Sequence, residues 1–176
     1  MIINPRTLKI VLGYGISVIE KYTGVSLKQN KLTSIYNYLQ INSNLATSGQ
    51  PAAHQFNSIK AAGYGKIINL APPSAENSVR NEANILARIG IDYVNIAVDF
   101  NNPTDQDFQH FVSHMQSHKD KKIWVHCAAN LRVSCFIFKY RTAILGQGKP
   151  LAEADLKKIW HPNKVWTHFI DKPAAD

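Results

Sequence analysis

Residues 121–136, KKIWVHCAANLRVSCF, constrain the fold more than any other stretch of this chain. Ile123, Trp124 and Val125 follow a basic entrance at Lys121 and Lys122 and read as a buried strand. Val133 through Leu145 read as a buried helix, and between the two lies a short loop of small residues. Strand and helix signals alternate in the same way from Leu32 onward. Residues 35–41 and 44–47 look extended, and Pro51 opens a helix carrying Ala52, Phe56 and Ile59 that Gly63 stops. Lys66–Ala71 is a strand broken by Pro72-Pro73, and Ser78–Ile89 is a helix with Gly90 past its end. Tyr93–Val98 is the next strand. Thr104–Lys119 is a helix with Phe108, Phe111, Val112 and Met115 inward, and a last helix starts at Pro150 and ends at His161-Pro162. Trp160, Trp166 and Phe169 are expected to pack the C-terminal tail onto the rest. The alternation predicts a three-layer α/β fold with a mostly parallel central sheet and helices on both faces.

In such sheets the ligand site lies beyond the C-terminal ends of the strands, where Cys127 falls. A loop from a strand end to a helix start gathers backbone N–H groups, and the helix dipole adds partial positive charge. It is an anion site, and the same field stabilises a thiolate. That is the layout for attack on phosphorus or sulfur by cysteine. A second cysteine, Cys135, is followed six positions later by Arg141, but helical rotation turns the two side chains apart, and Cys135 reads as a small buried hydrophobe.

His126-Cys127-Ala128-Ala129-Asn130-Leu131-Arg132-Val133-Ser134 resembles the signature loop of cysteine-dependent protein tyrosine and dual-specificity phosphatases. Asn44-Leu45-Ala46-Thr47-Ser48-Gly49-Gln50-Pro51, Ile67-Ile68-Asn69-Leu70, Gly90-Ile91-Asp92-Tyr93 and Val98-Asp99-Phe100 are similar to a bacterial group of small phosphatase-like proteins. The resemblance implies a dual-specificity phosphatase-like domain and hydrolysis of phosphate monoesters through a cysteinyl-phosphate, with no metal and no cofactor. Cys127 would be the nucleophile and Arg132 the phosphoryl clamp, whose planar fork suits phosphoryl oxygens. The remaining loop residues, His126, Ala128, Ala129, Asn130, Leu131, Val133 and Ser134, would bind substrate, with Ser134 donating to the cysteine sulfur. Asn130 stands where glycine is common and tolerates a left-handed backbone. Asp99 would be the acid: Thr104-x-x-Asp107 reads as a capping box, which accounts for Asp105 and Asp107 as helix-start residues, whereas Asp99 follows a strand end. Gln50 would position water or a substrate oxygen.

One departure keeps two further readings open. Arg132 stands five positions after Cys127, with Val133 in the usual place of the arginine. The shorter spacing is similar to that of rhodanese-type sulfurtransferases. A loop that holds phosphate with little turnover is the other reading.

The net charge of +8 suits anionic substrates and would equally suit nucleic acid or membrane surfaces; no aromatic-interleaved basic stripe points to nucleic acid, and the resemblance implies a phosphorylated substrate, protein or small molecule. Two cysteines eight positions apart suggest a reducing cytoplasm rather than a disulfide. His110, His114 and His118 share a helix face that no carboxylate or cysteine completes into a ligand set, and read as solvated. Residues 1–31 are expected to form an N-terminal helical extension and 32–176 the phosphatase-like domain. The extension contains a signal-like apolar core, Ile10–Ile19, too short to span a bilayer stably and without a small-x-small cleavage site. The alternative to export is a helix that docks through Leu8, Val11, Leu12, Ile16 and Ile19.

Overall fold

A computed structural model describes residues 5–23, 31–118 and 120–173. Five strands form one sheet: β1 (Leu39–Asn42), β2 (Leu45–Ser48), β3 (Tyr64–Asn69), β4 (Asp92–Asn95) and β5 (Lys122–His126), in the order β1-β2-β5-β3-β4. Only β1 runs antiparallel to its neighbour. The helices are α1 (Pro5–Thr23), α2 (Gln55–Ala61), α3 (Glu82–Arg88), α4 (Asp105–Gln116), α5 (Leu131–Lys139), α6 (Lys149–Ile159) and α7 (Lys164–Asp171).

Period-two alternation along buried strands sends successive side chains to opposite faces. Ile67 and Trp124 join Phe56, Ile59 and Leu86 under α2 and α3, whereas Ile68, Ile123, Val125 and Cys127 join Phe108, Phe111, Phe136 and Trp166 under α4 to α7. The sheet is therefore covered on both faces, which gives three layers.

Several boundaries differ from expectation for local reasons. β4 stops at Asn95 because β3, its one ladder partner, stops at Asn69. α2 starts at Gln55 instead of Pro51, because the Gln55 side chain accepts the Ala52 N–H at 2.9 Å and holds residues 51–54 in a turn. α3 starts at Glu82 and not Ser78, because Asn81 is left-handed (φ 58°). The long helix expected up to Leu145 winds wider over Tyr140–Ile144. α7 is an element that the sequence pattern did not announce; it carries Trp166 and Phe169 into the core.

α1 docks, but by the face opposite to the expected one. The Tyr36 hydroxyl donates to the Ile10 carbonyl at 2.6 Å, and Asn77 Nδ2 donates to Ser17 Oγ at 3.0 Å. Gly13 lies so close to the Tyr36 ring that a Cβ there would overlap it. A glycine and a serine let the helix backbone approach more closely than leucines would, so the small face goes inward. Leu8, Val11 and Leu12 are left 46–60% exposed. Among the described residues no helix is long and apolar enough to cross a membrane.

Candidate active site

Cys127 follows the last residue of β5, with its thiol free and buried and its N–H donating to the Ser48 carbonyl of β2 at 3.4 Å. The loop beyond it is held from outside. The Ala128 carbonyl accepts from the Gln50 N–H (3.2 Å) and from Asn77 Nδ2 (2.9 Å); the Ala129 carbonyl accepts from Asn37 Nδ2 (3.0 Å). A planar trans peptide sets each N–H opposite its carbonyl. The Ala129 and Asn130 N–H groups consequently turn away from these outer brackets. Gly49 runs beside the loop, where a Cβ would overlap the Tyr36 ring and press on the Ala128 carbonyl.

Asn130 takes the left-handed conformation (φ 66°, ψ 3°) that lets the chain turn into α5. Its buried amide donates to the Asn37 carbonyl (2.7 Å) and to Thr47 Oγ1 (3.0 Å), so Asn37 and Asn130 clasp each other across the loop. α5 then starts at Leu131, with its N-terminal N–H groups directed at the loop. The result is a fixed concave backbone suited to an anion.

His126 points to the other side of the sheet. Its Nε2 donates to Glu82 Oε1 at 2.8 Å, and Glu82 Oε2 accepts from Gln50 Nε2 at 3.1 Å; all three residues are buried. Gln50, expected to position water or a substrate oxygen, braces the back of the loop with its backbone N–H and Glu82 with its side-chain Nε2. Glu82 also explains why His126 stands in a strand end: the pair fixes the residue that precedes Cys127. Glu82→Leu is expected to strip buried partners from His126 and Gln50 and to lower unfolding stability by roughly 2–5 kcal/mol, measured by urea denaturation.

Arg132 is the second residue of α5. Its Nε donates to the Val98 carbonyl at 2.9 Å, and its guanidinium lies 5.2 Å from the Phe100 ring centroid. The arginine thus joins α5 to the segment carrying Asp99. Asp99 is exposed, and its Oδ1 accepts from the Asn101 N–H at 2.9 Å, a tight local turn. Behind it, Trp166 Nε1 donates to the Phe100 carbonyl at 2.9 Å, and Phe100 packs on Trp160 and Trp166. The other two candidate acids are otherwise occupied. Asp107 completes the capping box with Thr104, and Asp105 pairs with Lys172 and lies 4.0 Å from Lys139.

The first turn of α5 points the Val133 side chain into the core, fully buried, which leaves its backbone N–H as the group it can offer the loop. Ser134 donates its one proton to the Leu131 carbonyl (2.9 Å) and accepts from Trp160 Nε1 (3.1 Å), so its hydroxyl is not directed to the cysteine sulfur. Ala128, Ala129 and Leu131 stay half-exposed along the loop.

Sequence reasoning missed Glu82, Asn77, Asn37 and Tyr36. Burial holds the Tyr36 phenol well above its ordinary range, with the nearby Cys127 and then Tyr14 adding to the effect. Burial likewise pushes the Cys135 thiol up. Gln50, Asn77 and Glu82 border a crevice of about 1140 Å³ that extends to Arg80, Tyr93 and Ser17 of α1.

No family model and no curated protein matches the chain. Among solved structures, it is similar to a DUF442 protein from Shewanella putrefaciens CN-32 assigned as a phosphatase. The two are 30% identical over 80% of this chain and 92% of that one, with a TM-score of 0.72. A second crystal structure under that DUF442 description and from that organism is 31% identical over 84% and 94%, with a TM-score of 0.70. The core catalytic domain of the PP-IP phosphatase SIW14 from S. cerevisiae shares the fold at 15% identity over 79% and 86%, with a TM-score of 0.67.

Proposed function

We propose that this chain, which belongs to the DUF442 phosphatase family, is a metal-independent phosphate monoester hydrolase built on Cys127. The observation that carries the reading is the Cys127 loop itself, with its Ala128 and Ala129 carbonyls held from outside and α5 starting at its end. A phosphoryl group in that cradle meets backbone N–H groups and the N-terminus of α5, donors fixed before the reaction begins. The Cys127 thiolate attacks phosphorus in line, and the ester P–O bond breaks. Asp99 gives its proton to the departing oxygen. Water then attacks the cysteinyl-phosphate, Asp99 takes a proton from that water, and phosphate leaves with the thiolate restored. Arg132 Nε is engaged by the Val98 carbonyl, so an anion would meet its terminal Nη groups.

The substrate class is a phosphorylated protein or a small phosphorylated molecule, in keeping with the net charge of +8. Residues 32–176 form the catalytic unit in this reading, residues 1–31 an extension. Two free cysteines, one of them the nucleophile, suit a reducing cytoplasm.

The test is turnover of an aryl phosphate in the presence of a chelator, with acid-quenched protein examined by mass spectrometry. Turnover with a phosphoryl adduct on Cys127 is the expected result. No turnover together with a sulfur adduct on Cys127 after thiosulfate would replace the reading with sulfur transfer. Asp99→Asn keeps the turn-forming acceptor but loses the proton. It is expected to lower kcat by about 10²–10³-fold on esters of poor leaving groups and by much less on p-nitrophenyl phosphate.

A further inference from the structure

The outer face of α1 has no role in the site described above. Leu8, Val11 and Leu12 fall at i, i+3 and i+4 and form one stripe on a helix; they are 46%, 60% and 57% exposed. Ile19, 51% exposed, continues the same stripe. Of the eight exposed large apolar side chains among the described residues, five belong to α1. The opposite face is fixed on the domain by Tyr36, Asn77 and the close approach of Gly13, so the stripe cannot turn inward without breaking those contacts.

We propose that α1 is a membrane-surface helix, and that its apolar stripe lies in the headgroup region of an anionic lipid bilayer. Charge selects this occupant. Residues 1–31 contain Arg6, Lys9, Lys21, Lys28 and Lys31 against Glu20 alone, half of the net charge of +8 in under a fifth of the chain. An apolar stripe in a strongly basic segment is the composition that binds anionic interfaces, where each basic residue near the surface adds about 1 kcal/mol. Spanning is not the mode: among the described residues no helix is long and apolar enough to cross a membrane. The inner face of α1 bonds Tyr36 and Asn77, and Asn77 holds the Ala128 carbonyl. A bilayer on the outer face would therefore set the Cys127 loop within about one helix diameter, ~10–12 Å, of the lipid surface.

The test is flotation of the full chain with vesicles of phosphatidylcholine alone or with phosphatidylglycerol added, which reads binding without reference to phosphatase activity. The wild type is expected to float with the anionic vesicles, less so at high salt, and to stay in solution with phosphatidylcholine alone. The double variant Val11→Glu/Leu12→Glu changes only exposed side chains and is expected to lose binding at least about tenfold while its turnover of a soluble aryl phosphate stays unchanged. Absence of wild-type flotation would overturn the proposal. So would a variant that floats as well as the wild type, or a vesicle-free wild-type dimer that the variant abolishes.

Discussion

Cys127→Ser is expected to lower metal-free aryl phosphate turnover by at least about 10⁴-fold, because the serine hydroxyl is a weak nucleophile with no base positioned to take its proton. The fold should survive. The Cys127 backbone N–H is already bonded to Ser48, the loop is braced by Gln50, Asn77 and Asn37, and the change is one of sulfur to oxygen. Unfolding stability should stay within about 1–2 kcal/mol of the parent. Cys135→Ser supplies the contrast. That side chain is fully buried in the α5 core with its thiol pushed up by burial, so the variant should lose about 1–3 kcal/mol of stability and keep most of its turnover. Steady-state kinetics and urea unfolding on the two variants separate reactive cysteine from packing cysteine. Full turnover in Cys127→Ser would end the proposed mechanism.

Arg132→Ala is expected to cost at least about 10²–10³-fold in kcat/KM, the loss typical of one preorganised charge-stabilising donor. A second contribution comes from the Nε bond to the Val98 carbonyl and the stacking over Phe100, which tie α5 to the Asp99 segment. In the proposed mechanism, removing the guanidinium would both weaken the hold on the phosphoryl group and loosen the Asp99 segment. Arg132→Lys should therefore recover less than about a tenth of the lost activity, since an ammonium cannot bond Val98 and an anion with one planar fork. Coupling follows as well. Arg132→Ala combined with Asp99→Asn should cost less than the two single losses added together, because each already damages the same unit. Strict additivity in the double-mutant cycle would show that Arg132 acts on the anion alone.

Local chemistry made much of the fold legible in the sequence. The apolar run before His126, the capping box at Thr104 and the glycine after α3 are each short-range signals, and each marks an element near its observed place. Asn130 was readable for the same reason, since a left-handed turn has few tolerant residues. Glu82 was not readable. On the helix expected from Ser78 it is one more acid on a surface, and its partner His126 lies 44 residues away, brought to it by α3 packing on β4 and by the pairing of β4 with β3 and β3 with β5. Asn37 and Asn77 were hidden likewise: a lone asparagine in a loop carries no periodic signal that it will bracket a distant carbonyl. The apolar pattern of α1 correctly grouped Leu8, Val11 and Leu12 on one face, but periodicity says which residues share a face and not which face meets the domain. Gly13 against Tyr36 decided that.

The position of β5 in the sheet has a consequence for how the protein is made. β5 is the last strand in the chain and the middle strand in space, flanked by β2 and β3, which leave the ribosome dozens of residues earlier. Until residue 126 has emerged, the β1-β2 hairpin and the β3-β4 pair are separate pieces with unpaired inner edges, open to pairing with other nascent chains. Inserting β5 closes both edges at once and, in the same step, draws the Cys127 loop between its brackets on Gln50, Asn77 and Asn37. A chain truncated before β5 would lack Cys127 and also the strand that makes the two halves of the sheet one body.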